Sequence, residues 1–369
     1  MQSTLEGYAE VEKISKESTF IENLDPESTV NFTKASKDSM NDIYQFINKN
    51  YEYAFFTDGL ITELTNSHAI EVPAVYINNN YSKINAFPLS DGNPISFDYQ
   101  LGAQNTIVPI LVGFGLAEEY PVGTQLYFYD PALGKNITAE VSGVLEADIS
   151  HSNYYALDFK QYYNFSVIIP VNESYLNESE FQFKINGLMN LILLNTDEQK
   201  ASQLGRYINE KIDAKFNYYN QKDNTEFYNN YFFSSMKILI GVITFISILI
   251  LGVAIWISTS TVKIKVRDFT INILLGLSYN KLKKIFYIYY TAISSISLFI
   301  VFCLTLYLRY DFWIGKKSYL VTYGFLGLLT MDWIGILSAF IFNILLIIIV
   351  TNITMWKIQK IPISIGVIE

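Results

Sequence analysis

Few residues in this chain have the types and spacing that catalysis needs. It holds one cysteine, Cys303, and two histidines, His68 and His151. Disulfides within the chain and cysteine-paired metal sites therefore lack their parts, and two histidines give little support to a His-based metal site or a Ser-His-Asp constellation. The acidic pair Glu118-Glu119 has the chemistry of a carboxylate dyad, but no partner base or glycine-framed nucleophile accompanies it, and a solvated acidic face is the plainer reading. The doublets Tyr154-Tyr155, Tyr162-Tyr163 and Tyr218-Tyr219 read either as stacking platforms for a ligand or as half-buried strand and turn residues. Gly315-Lys316-Lys317-Ser318 lacks the leading glycine of a phosphate-cradling G-x-x-x-x-G-K-[ST] loop. No catalytic, metal-ligating or cofactor-binding residue is expected.

The most specific segment is Thr261–Lys284, TVKIKVRDFTINILLGLSYNKLKK. Val266, Phe269 or Thr270, Ile273, Leu274 and Leu277 recur at helical spacing and predict an amphipathic helix with one apolar stripe. Lys263, Lys265 and Arg267 stand at its start. Gly276 is placed to end it, because glycine tolerates the left-handed conformation after a helix. Ser278 can then cap a new helix. Such an element either docks into a groove on a cytosolic protein or rests on the membrane surface.

Around this loop the chain is lopsided. Residues 1–230 carry 14 basic and 31 acidic residues, net −17, whereas residues 231–369 carry 12 and 4, net +8. The acidic part excludes nucleic acid as a partner, since phosphate binding needs a basic face. The second part holds three charge-free apolar runs, Ile238–Ser258, Ile285–Leu308 and Trp333–Trp356. Each reaches the ~20 residues that a helix needs to cross a bilayer. Lys and Arg gather in loop 261–284 and again at Lys357 and Lys360, which predicts that both segments face the cytoplasm and that residues 1–230 lie outside. Met1–Glu10 has neither the basic start nor the apolar core of a signal peptide, so a truncated start is expected.

In residues 1–230, Met40, Ile43, Phe46 and Ile47 predict a helix over Ser39–Asn50. Strands are expected at Val72–Ile77, Thr106–Val112, Gln125–Tyr129, Ile137–Leu145, Ser166–Pro170 and Leu188–Leu194, with a hairpin turn over Asp130–Gly134. Leu204, Ile208, Ile212 and Phe216 predict a helix over Asp197–Phe216. The expected fold is thus an α+β extracytoplasmic domain (1–230) joined to an all-α transmembrane bundle (231–369).

Arg267, Asp268, Ile271, Leu274, Leu275, Gly276, Leu277 and Ser278, followed by Lys281, Lys283 and Lys284, resemble the coupling-helix signature of the FtsX-like/MacB-type ABC transporter permeases, approximately R-x-x-E-I-x-x-L-x-x-L-G-A-S. The chain departs in Asp268 near the family's Glu, Leu277 for the usual Ala, and Tyr290 where a Glu often stands. Ser247–Ile257, Lys357–Pro362, Val108–Gly123, Val141–Leu145 and Ser166–Pro170 resemble further family segments, so the resemblance covers the chain from about residue 85. It implies a MacB periplasmic-core-like ectodomain and four spans, the first of them missing here at the N-terminus. It also implies a cytosolic ABC ATPase subunit that binds the ATP and docks at Arg267, Asp268, Ile271, Leu274, Leu275, Gly276 and Ser278. A second permease copy, in a homo- or heterodimer, and a bacterial plasma-membrane location complete what it implies. Family members transmit motion; the implied roles are export of or resistance to peptides and lipophilic antimicrobials, or control of an extracellular cell-wall hydrolase. A membrane-anchored sensor without an ATPase is the remaining alternative.

Overall fold

A computed structural model describes residues 2–14, 18–22, 35–67, 69–102, 106–153, 156–314 and 321–360. His68, Tyr154-Tyr155, the Gly315–Ser318 run and Pro362 lie outside the described residues. The chain divides into two compact units, one formed by Met1–Phe233 with Tyr310–Gly327, the other by Ser234–Arg309 with Leu328–Glu369.

The first unit is a mixed α+β domain. Its strands are β1 (Phe20–Glu22), β2 (Glu52–Ala54), β3 (Phe56–Thr62), β4 (Val72–Ile77), β5 (Leu89–Gly92), β6 (Ile107–Val112), β7 (Gln125–Asp130), β8 (Lys135–Leu145), β9 (Ser150–Asn153), β10 (Ala156–Tyr162), β11 (Val167–Pro170), β12 (Ile192–Leu194) and β13 (Tyr218–Tyr219). The main sheet runs β3-β4-β11-β6-β8-β5, with β7 also paired to β8. A smaller sheet runs β13-β1-β12-β2, and β9 pairs with β10. Helices are α1 (Gln2–Ile14), α2 (Lys37–Asn50), α3 (Asn79–Ile84), α4 (Glu173–Glu178), α5 (Phe181–Met189), α6 (Glu198–Ile212) and α7 (Gln221–Tyr228).

Every residue of β4 is buried, as a strand covered on both faces must be. Its side chains alternate between two cores, as the period of two requires. Ala74 and Tyr76 join the larger one, with Ile110, Val167, Met40, Ile43 and Leu204; Val75 and Ile77 join the other, with Val11, Ile14, Ile168 and Tyr163. Capping positions α2 and α6 against the first core. The Ser36 hydroxyl accepts from the Ser39 amide at 3.1 Å, and the Asp197 carboxylate accepts from the Lys200 amide at 2.8 Å. Behind those caps, Met40, Ile43, Tyr44 and Ile47 on α2 and Ala201, Leu204, Ile208 and Ile212 on α6 form buried stripes.

The hairpin expected around Asp130–Gly134 forms, with Asp130 opposite Lys135 in register. Asp130 is fully buried and anchors it. Its carboxylate accepts from the Tyr76 hydroxyl at 2.8 Å, from the Ala132 amide at 2.9 Å, and from the Tyr175 hydroxyl. Burial pushes this carboxyl above its ordinary range, and the donated bonds oppose that shift. Tyr162 and Tyr163 are buried, which favours the packing reading of that doublet.

One strand is shorter than expected. Helix α5 runs to Met189, so the strand expected over Leu188–Leu194 keeps only Ile192–Leu194. Phe183, Ile185 and Leu188 bury one side of α5; a short apolar run satisfies either period, and packing decides between them.

The second unit holds three helices long and apolar enough to cross a membrane: α8 (Ser234–Ile264), α10 (Tyr279–Ile314) and α11 (Thr330–Gln359). The short helix α9 (Val266–Leu274) lies between the first two.

Candidate functional site

Loop 261–284 builds its geometry from the end of α8. The Lys265 amide still donates to the Thr261 carbonyl at 3.0 Å, but Lys265 leaves the helical conformation and α9 starts at Val266. At its other end the Gly276 amide donates to the Ile273 carbonyl at 3.0 Å and the Leu277 amide to the Asn272 carbonyl at 2.9 Å. These two bonds form a Schellman motif, which satisfies carbonyls that a helix end leaves orphaned. The motif needs a left-handed residue between them, and Gly276 supplies it with φ of 98°. Ser278 then caps α10, its hydroxyl facing the Lys281 amide at 3.4 Å.

One side of α9 packs. Thr270 is buried, and Phe269, Ile273 and Leu277 lie against a cluster of Val262 from α8, Leu282 and Phe286 from α10, and Met355 and Ile358 from α11. Helix α9 is thereby seated on all three long helices at once. Arg267, Asp268, Ile271, Leu274, Leu275, Gly276 and Ser278, the residues expected to meet an ATPase, are all exposed.

This arrangement corrects the single-stripe expectation. Leu274 does not join the packed stripe; it is 59% exposed, beside Ile271 at 43% and Leu275 at 80%. At about 100° per residue, Leu274 lies about 80° around from Val266 and Leu275 about 180°. The helix is therefore apolar on two sides, one spent on its own bundle and one left open. Lys263, Lys265, Arg267, Lys281 and Lys284 are exposed as well.

Behind the cluster is a polar junction with no sequence signature. Ser258 of α8 is hydrogen-bonded to the Tyr290 hydroxyl of α10 at 2.5 Å and to the Thr354 hydroxyl of α11 at 2.7 Å. Tyr290 stacks on Phe286 at 6.1 Å between ring centres, and Phe286 meets Phe269 of α9 at 5.9 Å. An unbroken contact path thus runs from α9 to the point where three helices are tied. Tyr290, the position where the resembled family often has a Glu, contributes a hydroxyl and no charge. Farther along, Ser294 bonds Asn343 at 2.8 Å, and Arg309 pairs with Asp332 at 2.7 Å. Among the described residues no group of three or more His, Cys, Asp or Glu is placed to hold a metal.

No protein-family model matches the sequence, and no curated protein matches it. Solved structures do. The chain is similar to the extracellular domain of the noncanonic ABC-type transporter YknZ from Gram-positive bacteria, at 13% identity and a TM-score of 0.32, over 55% of this chain and 100% of that one. It is also similar to the periplasmic region of MacB from Actinobacillus actinomycetemcomitans, at 12% identity and a TM-score of 0.37, over 61% of this chain and 98% of that one.

Proposed function

We propose that the chain is the membrane subunit of a bacterial ABC transporter of the mechanotransmission type, serving export of or resistance to peptides or lipophilic antimicrobials. A separate cytosolic ATPase docks on the open side of α9, through Ile271, Leu274 and Leu275 with Arg267 and Asp268 at its edge. ATP is bound by that partner, and a second permease copy completes the complex. The observation that carries this reading is the two-sided helix. Three large apolar side chains stand exposed on a short helix whose other side packs against the ends of three membrane-length helices. A resting amphipathic loop needs only one apolar side; two sides suit an element held between a bundle and a partner. The Lys and Arg concentrated in this segment support a cytoplasmic position for it in the plasma membrane, and α8 then leads residues 1–230 to the opposite side.

The test is ATPase stimulation in reconstituted membranes. Arg267→Glu and Gly276→Pro should each lower stimulation of the partner ATPase about tenfold while leaving insertion intact, and normal stimulation in both would refute docking. For topology, Ser278→Cys in a Cys303→Ala background should label only after permeabilisation, and Tyr127→Cys from outside intact cells. The reverse pattern would overturn the orientation.

A further inference from the structure

Residues 321–327 stand in sequence between α10 and α11, yet they belong to the α+β unit. Val321 is 4% exposed and sits in the larger core. Its carbonyl accepts from the Asn164 side-chain amide at 2.8 Å, and the Tyr323 backbone amide donates to the Asp148 carboxylate at 2.7 Å. Asp148 and Asn164 are also bonded to each other. The Asn164 amide donates to Asp148 Oδ1 at 2.9 Å, and the Asp148 backbone amide donates to Asn164 Oδ1 at 2.9 Å. Asp148 holds this pose with φ of 63°, a left-handed conformation that side chains other than glycine adopt at a cost.

The Tyr323 ring is received as specifically as its backbone. It meets Phe114 edge-on at 4.9 Å and lies 6.5 Å from Phe165. A Cβ on Gly115 would fall 2.6 Å from both the Tyr323 hydroxyl and Phe165 Cζ, so a larger residue there would have to displace the ring tips. The receiving residues come from three separate connections, after β6, between β8 and β9, and between β10 and β11. Strand edges, a strained aspartate and a glycine gap converge on three residues of a segment that leads into a membrane helix.

We infer that residues 321–323 are a clasped strap that ties the third span to the ectodomain and passes movement of that span to the ends of β6, β8 and β11. Thr330, the first residue of α11, follows Tyr323 by seven residues, a reach of at most ~25 Å for extended chain. Any movement that would carry the start of α11 beyond that reach from Tyr323 must pull on the clasp. The transmission role rests on the proposed function; the clasp itself does not.

The experiment is amide hydrogen exchange on the full chain in lipid nanodiscs, with and without its ATPase subunit and a non-hydrolysable ATP analogue. The Tyr323 amide should exchange at least 100-fold slower than free peptide, and Asp148→Ala should remove at least tenfold of that protection. An unprotected Tyr323 amide in the native chain would overturn the clasp. Nucleotide should alter exchange in β6, β8 and β11 of the native complex. Six Gly/Ser residues inserted after Gly327 leave every clasp contact in place and slacken the tether. That variant should keep the clasp protection and ATPase association but lose the nucleotide response; a full response would overturn transmission through the strap. If the ATPase does not associate even with the native chain, the proposed function and the transmission role fall together, and Tyr323 protection still decides the clasp.

Discussion

The two units of this chain hide opposite things. The α+β unit buries apolar side chains on both faces of its main sheet and holds its buried carboxylate, Asp130, between the hydroxyls of Tyr76 and Tyr175. The helical unit turns isoleucine, leucine and phenylalanine outward along α8, α10 and α11, and tucks its hydroxyls inward at Ser258, Tyr290 and Thr354. The difference follows from the solvent. In water, apolar burial drives association at about 25 cal/mol per Å²; between helices in lipid that drive vanishes, and close packing and hydrogen bonds hold the bundle. One unit is thus held by a dense apolar core, the other by close helix packing with a few hydrogen bonds between its helices.

That contrast can be broken first at Asp130. Asp130→Ala strands two phenol hydroxyls and the Ala132 amide without their acceptor. The expected cost is about 3 kcal/mol at typical penalties for buried unpaired groups, or roughly 6–12 °C in the melting temperature of a domain this size. Calorimetry of the purified chain checks it. Melting unchanged within a degree would mean that the buried polar cluster does not hold the α+β unit.

A pH-dependent effect of comparable size belongs to His151. Its ring is buried 4.5 Å from Phe56, with Nδ1 3.2 Å from the Tyr81 hydroxyl. Burial pulls its pKa from 6.5 down to about 3. Between those values the unfolded chain binds a proton that the folded chain refuses, so stability rises with pH across the window and is lost on acidification. The expected slope approaches 1.4 kcal/mol per pH unit in the middle of it. Denaturant titrations from pH 4 to pH 7 should show this slope in the native chain and a flatter one in His151→Phe; equal slopes would sink the assignment.

The smallest effect sharpens the other side of the comparison. Tyr290→Phe removes one hydroxyl from the tie among three helices, and bonds of that kind average about 0.6 kcal/mol in membrane bundles. Steric trapping in bicelles measures losses on that scale. A loss of several kcal/mol would show that the junction, not lipid packing, is the main fastening of the bundle.

Much of the architecture was legible in the residues. Charge-free runs of more than 20 residues have a single reading, and all three became long helices. Val72–Ile77 became a strand with those same bounds, and the caps at Ser36 and Asp197 start the helices expected there. Tyr44 escaped the helix reading because tyrosine reads as neither core nor surface, yet it is buried, with its hydroxyl on the Lys184 carbonyl at 2.8 Å. Leu188–Leu194 was misread because a short apolar run carries no period. At the candidate site, the turn was legible down to Gly276 and Ser278, since capping is a local code. The division of α9 into two apolar sides was not, because periodicity shows which residues share a side and not which side a neighbour will cover.

The sequence by itself determined the three membrane-length helices, the sign of charge on either side of them, and the helix–glycine–cap order of the loop. Each is set within a few residues of chain, by hydration, by backbone sterics at one glycine, or by the length of an apolar run. Tertiary structure alone decided the tie of Ser258, Tyr290 and Thr354, the anchoring of a hairpin on Asp130, and the capture of Val321 and Tyr323 by Asp148 and Asn164. Those contacts join residues from about 30 to about 170 positions apart. No local pattern encodes such a partner, because it exists only once burial has made an unpaired polar group too costly to leave alone.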